Sequence, residues 1–66
     1  DGLDLIKKVI YKTNEILKIN GTLALEIGNK QFWKVSKILI KNNFKIESKV
    51  NDYGDNTRCI IARKIR

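Results

Sequence analysis

Sixty-six residues, 42% of them apolar and 32% charged, allow one small domain and no more. One cysteine and no histidine exclude an internal disulfide, a zinc finger and zinc-hydrolase chemistry, and no apolar run approaches the ~18 residues of a membrane span. The net charge of +7 suits an electrostatic partner such as RNA, DNA or an acidic protein, but abundant Lys, Asn and Ile with no proline also suit an AT-rich gene, which is the preferred explanation.

The first predicted element is a helix over about residues 3–18. Leu3, Ile6, Ile10, Thr13 and Leu17 recur at spacings of three and four and share one face. Leu5, Val9 and Ile16 are expected to widen that stripe, with Lys7, Lys8, Lys12, Asn14, Glu15 and Lys18 mostly opposite. Asp1 can accept from the first free amides, and Asp1 and Asp4 suit the positive helix end. Asn20-Gly21 is the expected exit, because both residues tolerate the left-handed conformation. A strand follows over about 22–27, with Leu23, Leu25 and Ile27 on one face and Ala24 and Glu26 on the other.

Gly28 breaks that strand, and Asn29 is the expected cap of a second helix over about 30–42. Phe32, Val35, Ile38 and Leu39 form its apolar stripe, with Trp33 and Ile40 at the margin; Asn42-Asn43 stops it. Residues 44–50 alternate as a half-buried edge strand, Phe44, Ile46, Ser48 and Val50 facing one way and Lys45, Glu47 and Lys49 the other. Asn51 to Asn56 is a turn by composition. The last strand covers about 57–64, and Cys59, Ile60, Ile61 and Ala62 make it apolar on both faces, as in a sheet interior.

The expected fold class is α/β, an α-β-α-β-β arrangement with a three-stranded mixed sheet. A right-handed crossover makes the first two strands parallel. The third is antiparallel and, being apolar on both faces, lies between them, so the order is first, third, second. Both helices then cover one sheet face. The other face and one flank of the first strand are left bare, to be covered by more chain or by self-association with a second copy.

Chemistry searched for along the chain is sparse. Ser36 and Ser48 have no histidine as base, and Cys59 sits in an apolar run as a core thiol. Asp52 and Asp55 flank a turn, where aspartates bond their own backbone. Gly2, Gly21, Gly28 and Gly54 are isolated from one another, so no phosphate-cradling loop is present. Phe32, Trp33 and nearby lysines could stack bases, but an aromatic pair at a helix start reads first as core plus rim.

Three stretches nevertheless share a known pattern. They are Asp1-Gly2-Leu3-Asp4 opening a helix, Gly21-Thr22-Leu23-Ala24-Leu25-Glu26-Ile27-Gly28 followed by Gln31, and Asp52-Tyr53-Gly54-Asp55-Asn56-Thr57-Arg58 leading into Cys59-Ile60-Ile61-Ala62-Arg63. Together they resemble the C-terminal end of the HemK-type release-factor glutamine methyltransferases. The resemblance spans essentially the whole chain. It implies the C-terminal part of a Rossmann-like S-adenosylmethionine-dependent methyltransferase fold, whose last strand inserts antiparallel between the two before it. The implied reaction moves a methyl group from the cofactor to a glutamine side-chain amide of peptide-chain release factors.

In that family an Asn-Pro-Pro-Tyr motif polarises the amide and an acidic glycine-rich loop holds the cofactor. This chain has no proline and no such loop, so both motifs are expected before Asp1. No residue of this sequence is assigned a catalytic, cofactor-binding or metal role. Gly28 is expected to permit the strand-to-helix turn, Gly54 to make the hairpin turn, Asp55 or Asn56 to bond backbone, and Arg58 to form an ion pair. The missing initiator Met, the absent signal peptide and the cysteine usage give the expectation of residues 1–66 as a single segment of a longer cytoplasmic protein, inactive alone, with no membrane contact. The competing readings are a small basic module binding nucleic acid directly, which the family resemblance disfavours, and part of a nucleic-acid amino-methyltransferase.

Overall fold

The computed structural model describes residues 3–28 and 30–66. The elements run α1 (Leu3–Ile16), β1 (Thr22–Glu26), α2 (Phe32–Lys41), β2 (Phe44–Asn51) and β3 (Thr57–Lys64). The capping roles expected of Asp1 and Asn29 fall outside the described residues.

Helix α1 turns Ile10 fully into the core and packs Leu3 and Ile6 beside it, with Leu17 just past its end. It stops at Ile16, short of the expected 18, because its last carbonyls find partners elsewhere. The Lys64 ammonium, arriving from β3, donates to the backbone oxygens of Asn14 and of Leu17, the latter at 2.8 Å. A lysine on the carbonyl end of a helix meets both orphan acceptors and the negative end of the dipole. Asn20 then adopts φ 73° and reverses the chain. Gly21 is required by closeness, since a Cβ there would lie 2.6 Å from the Leu17 side chain. The expected widening of the apolar stripe is corrected: Leu5 is 70% exposed, Ile16 is 71% exposed and Val9 also faces solvent. These three residues lie roughly 100–140° around the helix from Ile10, too far to reach the sheet.

The strand order is β1-β3-β2, as the apolar pattern of the third strand implies. Leu25 pairs with Ile60 and Leu23 with Ala62 on one side, while Ile46 pairs with Ala62 on the other. The expected mixed sheet is corrected to an antiparallel one. β1 and β2 do run parallel to each other, but β3 separates them, so every bonded pair is antiparallel.

A second correction concerns β2. A register shift between Ile46 and Ser48 inserts an extra residue against β3. Such a bulge reverses the in-out alternation beyond it. Ser48 and Val50 therefore leave the face of Phe44 and Ile46; Val50 pairs with Cys59 and is 55% exposed. Lys49 comes round instead to the helix side, its ammonium 4.7 Å from the centre of the Phe32 ring. Cys59 is likewise corrected: it is a half-buried free thiol on the open sheet face, not a core residue, because its neighbour Ile60 takes the inward position.

One core joins Ile10, Ile27, Val35, Leu39, Phe44, Ile60 and Ala62. Both helices contribute to it, so both lie on the same sheet face. The molecule measures 34 × 23 × 15 Å, and the short dimension is one helix layer on one sheet. Among the described residues, the opposite face presents Ala24, Ile61, Cys59 and Val50 with no layer over them, and β1 has bonded neighbours on only one edge. Among the described residues no helix is long and apolar enough to cross a membrane.

Central placement makes Ile60 the residue most of the fold leans on. Ile60→Ala is expected to lower the stability by about 3 kcal/mol, whereas Ile61→Ala, on the open face, costs less than about 1.5 kcal/mol. Urea denaturation midpoints measure both, and equal shifts would contradict this division of the strand.

Candidate functional site

Because β1 and β2 run parallel, their carboxyl ends emerge at the same edge of the sheet, where β3 begins. That edge is where open α/β sheets bind ligands. The two connectors meet there. The Ile27 amide donates to the Arg58 carbonyl at 2.9 Å, joining the end of β1 to the start of β3. A cleft of about 340 Å³ lies between the connectors, lined by Lys30, Phe32, Trp33, Lys49, Asp55, Asn56 and Thr57.

The β1–α2 connector is built on a glutamine. The Gly28 amide donates to Gln31 Oε1 at 2.7 Å, a reach back of three residues. A Cβ at Gly28 would come within 3.0 Å of that oxygen, so the expected role of Gly28 rests on closeness to Gln31. The left-handed position in this connector is Lys30, with φ 64°. Gln31 takes the cap position of α2 with no side-chain bond to the helix amides. Phe32 packs against the core while Trp33, 74% exposed, meets it edge-on with ring centres 5.0 Å apart. The sequence reading of core plus rim describes this pair.

The β2–β3 turn is organised by one carboxylate. Asp52 Oδ1 accepts from the Gly54 amide at 2.8 Å and the Asn56 amide at 3.0 Å. Its Oδ2 accepts from Arg58 Nε at 2.7 Å. The Asp52 amide in turn donates to the Asn56 carbonyl at 2.9 Å, and Thr57 donates to Asn51 Oδ1 across the base of the hairpin. These bonds hold the Asp52 carboxyl below its usual range, the Asn56 amide contributing most and Arg58 next. Of the turn residues expected to bond backbone, Asp52 does so twice. Asp55, with φ 61°, takes a left-handed conformation beside Gly54 in the turn. Arg58 makes the expected ion pair.

The chemistry available at this rim is recognition. Asp52 is fully committed to its turn, Lys30 and Lys49 are cations, and Trp33 offers an apolar surface. The sequence places nearby lysines with Phe32 and Trp33, as Lys30 is, but does not bring Lys49 to them. The bulge that turns Lys49 inward leaves no mark in the alternation. Ser36 is buried in α2 and its Oγ has no partner among the described residues. Among those residues no cluster of His, Cys, Asp and Glu is placed to hold a metal ion.

Comparison with known proteins gives a consistent set of relatives. A release factor glutamine methyltransferase of Fusobacterium nucleatum is 53% identical over 64 residues, covering 97% of this chain and 18% of that protein. One of Clostridium botulinum is 39% identical over 64 residues, covering 97% of this chain and 23% of that protein. A bifunctional methyltransferase of Rickettsia felis is 36% identical over 65 residues, covering 98% of this chain and 12% of that protein. The chain spans less than a quarter of the length of these curated relatives. No family model and no solved structure matches it. The chain is a homologue of a C-terminal segment of release factor glutamine methyltransferases.

A depressed carboxyl binds its proton more readily in the unfolded chain. Its contribution to stability is complete above the unfolded value, about pH 4, and is lost as pH falls through the native one. Asp52→Asn, which removes the acceptor facing Arg58, is therefore expected to melt below the wild type at neutral pH. The gap should close on acidification below about pH 4. Melting temperatures across that range measure it; a gap independent of pH would show that Asp52 acts through its shape alone.

Proposed function

We propose that this chain is the C-terminal part of an S-adenosylmethionine-dependent methyltransferase domain that methylates a glutamine side-chain amide of peptide-chain release factors. The observation carrying the proposal is the 53% identity, over 97% of the chain, to a protein named for that activity. The bare sheet face, the unpaired edge of β1 and the single-layer thickness support it, since each is a surface that a larger Rossmann-like sheet would cover. A further strand parallel to β1 on that edge would make the whole sheet mixed. The parent is proposed to act in the cytoplasm, where release factors work.

An amide nitrogen is a poor nucleophile, because its lone pair is delocalised into the carbonyl. Methylating it calls for acceptors that polarise the amide and for close alignment with the methyl donor. The described residues at the rim do not fit the donor. Their glycines are isolated, the Asp52 carboxylate is spent on its turn, and Lys30 and Lys49 would repel a sulfonium cation. We therefore assign the donor site and the amide-polarising groups to residues preceding this segment. The present residues complete the sheet and form one wall beside the reaction. In that arrangement Gly28, Gln31 and Trp33 border the mouth of the active site.

Two measurements test the reading. The gene product including the preceding residues should transfer a labelled methyl group to a release-factor glutamine, located by mass spectrometry of the digested substrate. The 66-residue chain should show no heat of binding with S-adenosylmethionine. A methylated nucleobase in place of glutamine would move the assignment to the nucleic-acid enzymes. Cofactor binding at about micromolar strength by the chain alone would overturn the division of labour.

A further inference from the structure

Away from the rim, α1 and α2 enclose a second cleft of about 350 Å³ lined by Lys7, Tyr11, Lys34, Lys37, Ile38, Lys41 and Asn42. Its charge is of one sign. Four lysines surround it, and among the described residues no carboxylate lines it and no ion pair reaches any of the four. The acids that the structure does pair lie elsewhere: Glu15 with Lys12, Asp52 with Arg58, Glu47 with Arg63. Lys34, Lys37 and Lys41 stand three and four residues apart, so they form one stripe along α2, about 10 Å long. Like charges at this spacing disfavour a helix standing alone. A partner that brings negative charge in a regular row removes that repulsion.

We propose that this cleft binds the sugar–phosphate backbone of single-stranded RNA. A row of lysines matches a polymer carrying one charge per unit better than it matches one isolated carboxylate. The Tyr11 ring and Ile38 give the cleft an apolar wall for sugars or an unstacked base. Asn42 donates its amide nitrogen to the Ile38 carbonyl at 2.8 Å, which leaves its Oδ1 as an acceptor in a cleft that Tyr11 also lines. Neutral groups of this kind are what a 2′-hydroxyl needs. Composition alone accounts for many lysines by codon bias; it does not account for four of them converging on one groove. The inference is independent of the methyltransferase reading, since it uses neither the sheet edge nor the rim.

The test is fluorescence anisotropy of the full chain with a labelled oligouridylate of roughly 12 nucleotides, at several salt concentrations. Four phosphate contacts correspond to a log–log salt slope of about −3. Lys34→Gln/Lys37→Gln/Lys41→Gln is expected to lose at least ~10-fold in affinity and to reduce the slope by about 2. The equally discharged Lys8→Gln/Lys18→Gln/Lys45→Gln stays within ~3-fold of wild type. Replacing the same three α2 lysines by arginine retains binding. The single variants Lys34→Gln and Lys37→Gln, each checked by circular dichroism, weaken binding in the same direction, so the result does not depend on the triple variant folding. No binding at low salt, or equal losses in the two glutamine triples, overturns the site. Equal affinity for the matching oligodeoxyuridylate overturns RNA as the occupant, and equally strong competition by polyglutamate replaces nucleic acid with an acidic protein.

Discussion

The structure depends on one strand, β3, lying between two strands that do not touch each other. β1 and β2 run the same way and are held apart by a strand running the other way, so every ladder in the sheet has β3 as a member. Its inward residues, Ile60 and Ala62, sit in the core that both helices reach. Its two ends fasten the rest. At one end the Arg58 carbonyl receives the Ile27 amide and the Arg58 side chain holds Asp52. At the other, Lys64 bonds the last carbonyls of α1, and its backbone exchanges bonds with Asn20 and Gly21. The strand that arrives last in the chain is thus the one that closes each earlier element. Its pairing with β1 and its bonds to α1 are distant in sequence, so closing the sheet carries the loop-closure entropy of a non-local topology.

This arrangement also sorts the charges. Glu47 and Arg63 pair across the open sheet face, and that bond to Arg63 holds the glutamate carboxyl below its usual range. Asp52 and Arg58 pair at the rim. Both basic partners belong to β3, whereas the acids come from β2 and the turn after it. Carboxylates are thereby drawn to the sheet and its hairpin, and the exposed side of α2, which has no acid of its own, is left to lysine. The uneven distribution of a +7 chain is consequently a product of the topology as well as of composition.

Much of this was legible in the residues. A strand apolar on both faces has to be central, and that alone fixes the order β1-β3-β2 once the crossover hand is granted. The helix faces followed from spacings of three and four where a residue had a sheet to meet, as Ile10, Val35 and Leu39 did. Periodicity failed where geometry intervened. Leu5, Val9 and Ile16 satisfy an apolar pattern, but no layer lies opposite them. The bulge in β2 depends on the fit between two strands, so the sequence of one strand cannot announce it, and Ser48, Lys49 and Val50 change faces as a result. In the turn, the residue types were right and the division of labour was not. Asp52 reaches three donors because it sits at the base of the hairpin, whereas Asp55 at the tip bends the backbone.

The rim explains why a short signature can be specific without being reactive. A turn that must place the start of the central strand against the end of β1 has little freedom. It needs a carboxylate at position 52 to gather two amides, a cation at position 58 to meet it, and a residue at 55 that accepts positive φ. Each requirement is satisfied by the protein itself, so the chemical groups of the signature are consumed in building the edge and are not free to act on a ligand. What the edge then offers outward is shape: an exposed Trp33, the Gly28–Gln31 corner and a cleft between them and the hairpin. A wall of fixed shape at the carboxyl ends of the strands is useful only opposite another wall, and the uncovered edge of β1 is the side from which that second wall can be attached.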